Sequence, residues 1–115
     1  MEPARVTVDE TAGLTVARID GELDKLAADA VRSRLDDLDG ERLVIDLGGV
    51  TFLDSAGLHA LFELGRAIAD RGGRLALAVV EGSAAGRVVE LAHLAAVIPV
   101  RGSVEEAIEA LGSVS

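Results

Sequence analysis

The spacing of apolar positions changes several times along this chain, and each change marks an element. Leu43-Val44-Ile45-Asp46-Leu47 is a short apolar run between charge and glycine, which predicts a strand buried on both faces. Gly48 to Leu53 is expected to carry the chain away from the sheet. Beyond Asp54-Ser55-Ala56-Gly57, apolar residues recur at Leu58, Leu61, Phe62, Gly65, Ile68 and Ala69. That is one face of a helix, with His59, Glu63, Arg66 and Asp70 opposite. Asp54 or Ser55 is the natural N-cap, since either side chain can accept from the free amides of the first turn.

The flanking segments follow the same logic. Arg5 to Asp9 and Leu14 to Ile19 are rich in β-branched residues and predict an antiparallel hairpin. Asp20 to Asp24 reads as a turn-rich junction. A helix follows, with Leu26, Ala27, Ala30, Val31, Leu35 and Leu38 inward and Gly40 as its stop. Asp36, Asp37 and Asp39 oppose its dipole, and Arg32 and Arg34 offset them. Arg71-Gly72-Gly73 ends the central helix, and Arg74 to Val80 predicts another buried strand. Gly82-Ser83 opens a short helix burying Val88, Val89 and Ala92. Ala96 to Val100 predicts a last strand, placed at an edge by Pro99. Ser103-Val104-Glu105-Glu106 is a capping box for a final helix with Val104, Ala107, Ile108 and Leu111 inward. The order ββαβαβαβα predicts one α/β domain over residues 1–115. Its mixed sheet has about five strands, covered by four helices, with right-handed crossovers.

Composition narrows the function. The chain has 115 residues, half of them apolar, enough for an independent core. Cysteine is absent, which excludes disulfide and thiol chemistry. Twenty acidic residues against eleven basic ones give a net charge of −9, which argues against nucleic-acid binding. No apolar run is long enough for membrane insertion, and Met1 to Arg5 lacks the features of a signal peptide, so a cytoplasmic protein is expected.

Candidate chemistry is sparse. There is no metal-ligand spacing and no glycine-rich phosphate loop, so no metal and no cofactor are expected. Ser55 and His59 stand four apart on one helix, yet a cap hydroxyl and a first-turn imidazole are poorly aimed at each other, and no third residue orients the ring. No catalytic residue is assigned. Asp46 is expected to form the turn before Gly48-Gly49, and His93 to meet helix carbonyls or solvent. Ser55 itself has two readings on these residues. It is a helix cap, the commoner role, or it is a phosphate acceptor at the positive end of a helix dipole.

Two stretches acquire meaning together: Gly21-Glu22-Leu23-Asp24 before the first helix, and Asp54-Ser55-Ala56-Gly57-Leu58 before the second. In this order and spacing, with Leu43 to Leu47 and Phe52-Leu53 between them, the chain resembles the STAS family over about Arg5 to Leu111. That domain is shared by sulfate transporters and anti-sigma factor antagonists. A chain without membrane spans is similar to the antagonist branch. The resemblance implies a regulator rather than an enzyme. It implies that Ser55 is the phosphorylation site of a partner anti-sigma factor serine kinase. In that family pattern the unphosphorylated form would bind the kinase and release a sigma factor, and a phosphatase acting on phospho-Ser55 would restore it. Glu22, Asp24, Asp54, Ser55, Ala56 and Gly57 form the implied partner surface.

Three positions depart from the family pattern. The residue after the acceptor, often Ser or Thr, is Ala56. The first helix usually has Thr or Ser three residues after the loop aspartate; Ala27 stands there, which leaves Asp24 to cap that helix. A glycine often found before the last strand is His93, which implies a positive φ. A different implied role is that of a non-phosphorylated accessory subunit in a lipid-transporting ATPase or another scaffold complex, using the same surface as a static dock.

Overall fold

The computed structural model describes residues 4–11, 13–38 and 41–112. The expected stop at Gly40, and Asp39 with it, lie outside the described residues. The order is β1 (Arg5–Thr11), β2 (Leu14–Leu23), α1 (Lys25–Asp36), β3 (Arg42–Leu53), α2 (Ser55–Asp70), β4 (Arg74–Ala78), α3 (Ala84–Leu91), a 3₁₀ turn at Leu94–Ala96, β5 (Val100–Arg101) and α4 (Val104–Leu111). The five strands form one sheet in the order β1-β2-β3-β4-β5. β1 pairs antiparallel with β2, and every later pair is parallel.

Alternation along β2, β3 and β4 divides the core. Ala17, Ile19, Leu43, Ile45, Leu47, Leu75 and Leu77 share a core with the buried faces of α1, α2 and α3. Val44, Ala76 and Ala78 face the other way and pack against Ala107 and Leu111 of α4. α4 has Glu105 and Glu106 in its first turn and no basic residue in its last. The sheet supplies the missing cations: Arg74 Nη1 donates to Leu111 O (2.8 Å) and Arg42 Nη1 to Gly112 O (3.1 Å). Ser103 Oγ caps α4 by accepting from Glu106 N (3.1 Å), and it donates in turn to Glu106 Oε1 (3.2 Å).

Several elements differ from the periodicity reading. Both hairpin strands run longer than expected, and Asp20 to Leu23 is strand rather than turn. β3 also continues to Leu53 instead of leaving the sheet at Gly48. It stays paired by bulging: Arg18 faces Asp46 but Asp20 faces Gly49, and Gly21 faces Val50 but Glu22 faces Phe52. Asp46 acts within this bulge, accepting from Gly48 N (2.8 Å) and from Arg18 Nη1 (3.2 Å). Asp20 holds Arg18 Nε (3.0 Å), and this hydrogen bond, then the charges of Asp20 and Asp46, raise the guanidinium pKa above its ordinary value. Gly49 is bare because a Cβ would fall onto Asp20 Oδ1 and within 3.0 Å of Arg18 Nη2.

The helix faces are shifted too. α1 buries Ala28, Val31, Leu35 and the following Leu38, while Leu26 and Ala30 are exposed. α2 buries Gly57, Leu61, Leu64 and Ile68, a stripe that includes Leu64 and leaves Ala69 exposed. α3 buries Ala85, Gly86 and Val89, with Ala92 exposed. The last strand shrinks to two residues, Val100 and Arg101, and is preceded by a 3₁₀ turn over Leu94–Ala96. His93 precedes that turn at φ 56°, ψ 34°, as its replacement of glycine implied. It follows the α3 C-cap, where glycine avoids the cost of the left-handed conformation. His93→Gly is therefore expected to stabilise the fold by up to about 1 kcal/mol after the entropy of glycine is subtracted. That is a rise of a few degrees in thermal midpoint. An unchanged or lower midpoint would show that the turn holds His93 without strain.

Candidate functional site

The site lies where β2 and β3 end side by side. Their last residues are register partners, Glu22 with Phe52 and Leu23 with Leu53. Parallel strands ending together start their following helices together, at the edge where α/β sheets carry their sites.

Each helix start is capped by an aspartate. Asp24, in extended backbone, accepts from Ala27 N through Oδ1 (3.0 Å), so it caps α1 itself, as the alanine at position 27 required. Asp54, with φ −106° and ψ −176°, accepts from Gly57 N through Oδ1 (2.9 Å). This settles the capping ambiguity: Asp54 is the cap and Ser55 is the first helical residue. The second oxygen of Asp54 accepts from Lys25 N, the first residue of α1 (3.0 Å). One carboxylate therefore satisfies amides of both helix starts. The Asp54 amide faces Leu23 O at 3.4 Å, which closes the junction from the other side.

This closeness needs Gly57. A Cβ there would fall onto the carbonyl oxygen of Leu23, within 2.8 Å of Leu53 Cδ1 and 3.0 Å of Leu23 Cγ. Gly57 is buried, and Ser55 is exposed on the opposite side of α2. Glu22, Asp24, Asp54 and Ala56 are half-buried around it. All six residues singled out in the sequence thus gather at one end of the sheet. The sequence reading passed over the Lys25 amide, which no side-chain pattern signals, and Leu26, which it placed in the core.

The arrangement offers a hydroxyl at the positive end of a 16-residue helix whose capping position is already filled. It does not build a nucleophile–base pair. His59 Nε2 lies 3.6 Å from Glu63 Oε1, on the turn away from Ser55. Among the described residues no cluster of three or more His, Asp or Glu could hold a metal ion, and no helix is long and apolar enough to cross a membrane.

The family model described as STAS domain matches residues 5–107. The chain belongs to the STAS domain family. An anti-sigma F factor antagonist from Paenibacillus polymyxa is 26% identical over 96% of this chain and 97% of its own. The crystal structure of an anti-sigma factor antagonist from Mycobacterium paratuberculosis superposes with a TM-score of 0.86 at 26% identity, covering 96% of this chain and 95% of that one. A sulfate transporter family protein from Wolinella succinogenes has the same fold, with a TM-score of 0.72 at 22% identity over 88% of this STAS chain and 86% of its own.

Proposed function

We propose that this STAS domain is an anti-sigma factor antagonist whose binding is switched by phosphorylation of Ser55. The observation that carries the reading is the division of labour at the start of α2. Asp54 does the capping, so the Ser55 hydroxyl is exposed and not committed to holding the helix. A phosphoserine there adds about 1.5 to 2 negative charges at a helix N-terminus, which accommodates them without unwinding. Similarity to antagonists along nearly the whole chain supports the same branch.

In this reading an anti-sigma factor serine kinase binds the end of the sheet where Glu22, Asp24, Asp54, Ser55, Ala56 and Gly57 meet. Binding of the unphosphorylated form draws the kinase away from its sigma factor. Phosphoryl transfer to Ser55 Oγ ends the complex, and a phosphatase returns the chain to its binding form. The exchange takes place in the cytoplasm, and the domain acts as substrate and regulator rather than as an enzyme.

The experiment is incubation with the cognate anti-sigma factor kinase and ATP, read by intact mass. One phosphate should be added to the wild type and none to Ser55→Ala. Equal labelling of the two would overturn the assignment.

A further inference from the structure

Leu26 is the most exposed large apolar side chain among the described residues, at 90%. Its setting is unusual, because the backbone around it is fixed. The preceding amide, Lys25 N, is held by Asp54, and the following one, Ala27 N, is held by Asp24. Two hydrogen bonds to carboxylates thus pin the turn that presents a leucine to solvent.

The direction of presentation follows from the helix period. Leu26 lies across α1 from its buried residues Ala28, Val31 and Leu35. Ser55 lies across α2 from Gly57, Leu61 and Leu64. Both helices pack on the same face of the sheet and start at the same end, linked through Asp54. Leu26 and Ser55 therefore point away from the sheet from adjacent first turns. Ala30, one turn beyond Leu26 and also exposed, extends the apolar ridge. Glu22, Asp24, Asp29 and Asp54 stand with Lys25 around the N-terminal end of the ridge, and Arg34, exposed one turn beyond Ala30, lies at its far end.

We infer that Leu26 is the docking anchor for the kinase proposed above, seating in an apolar pocket with a basic rim on that partner. This rests on the reading of Ser55 as acceptor. The apolar side chain and its acidic surround define the complement, and the pinned backbone means that little order is lost on binding. Leu26 then determines affinity and partner choice, and takes no part in phosphoryl transfer.

The test uses the full chain, the anti-sigma factor kinase and ATP, with Leu26→Asn and Leu26→Met. Leu26→Asn should raise KM for this chain roughly ten- to a hundredfold with kcat nearly unchanged, the effect of one leucine left unburied. Leu26→Met should stay within about threefold of wild type, since it keeps volume and polarity. The thermal midpoint should not move in either variant, because an exposed side chain contributes little to the core. Equal KM for wild type and Leu26→Asn would overturn the anchor while leaving Ser55 as acceptor. If the wild type binds the anti-sigma factor but takes no phosphate, the Ser55 reading fails; titration of both chains then decides Leu26, with weaker binding of Leu26→Asn supporting the anchor and equal binding overturning it. No binding of the wild type to the anti-sigma factor would overturn both.

Discussion

Gly57→Ala is expected to destabilise the domain by about 1–3 kcal/mol, the range for overpacking a filled site. The sign is the informative part. Within a helix, replacing glycine by alanine ordinarily gains about 1 kcal/mol through backbone entropy. Gly57 is buried in the first turn of α2, and the added methyl would meet the Leu23 carbonyl oxygen. A backbone carbonyl at the end of a central strand cannot swing aside as a side-chain tip can. Relief requires α2 to lift from β2, which lengthens the Asp54–Lys25 bond and separates the two motif loops. Gly65→Ala, later in the same helix, is the control. Its Cβ would approach Ile98 Cδ1 at 2.8 Å and Leu75 Cδ2 at 3.4 Å, both movable side-chain ends, so its cost should be much smaller. Urea unfolding of the two variants checks the contrast. A Gly57→Ala protein more stable than wild type would show that the loops are not in contact as described.

What the sequence revealed depended on whether the signal was local. Leu43 to Leu47 declared itself as a buried strand because an apolar run between charges has few other solutions. The start of α2 was legible because Asp54 and Ser55 are both capping residues, but for that same reason the sequence left the choice between them open. Only the extended backbone at Asp54 decides it. Helix phase was less secure. In α1 the adjacent Leu26 and Ala27 drew the apolar stripe about a residue out of phase, and in α2 the neighbouring Phe62 and Ala69 concealed Leu64. Periodicity weighs all apolar residues alike and cannot single out one that is exposed for another purpose. The last strand failed for a different reason. Its apolar residues are real, but the chain winds into a 3₁₀ turn after the left-handed His93, and Pro99 joins β4 only through its carbonyl, which accepts from Leu77 N (2.9 Å), so the register is confined to Val100 and Arg101. The Asp54–Lys25 bond joins residues 29 apart and has no sequence signature at all. The resemblance in two short motifs brought the loops together on paper. The bond and Gly57 show how they are held there.

Phosphorylation of Ser55 is expected to lower affinity for the kinase about a hundredfold, by local charge and without refolding. A kinase that has just transferred a phosphoryl group still holds the nucleoside diphosphate close to the acceptor. The new phosphate and that anion are like charges. At a separation of about 6 Å and an effective dielectric near 20, each pair of unit charges repels by about 2–3 kcal/mol, which is on the order of a hundredfold in affinity. Steric bulk at the former hydroxyl adds to this. The domain itself has little reason to rearrange, since the helix N-terminus favours the added charge and Asp54 already holds the first turn through Gly57 N. Repulsion at an exposed site weakens with salt, so the affinity difference should narrow as ionic strength rises. Amide NMR of the free and phosphorylated forms gives the second check. Shifts should be confined to Asp20 to Lys25 and Leu53 to His59, with the Lys25 amide included because it reports on the Asp54 carboxylate beside the phosphate. α4 packs on the other face of the sheet, its C-terminus held by Arg42 and Arg74. Large shifts from Val104 to Leu111 would mean that the switch runs through the whole sheet, and the local-charge account would fall.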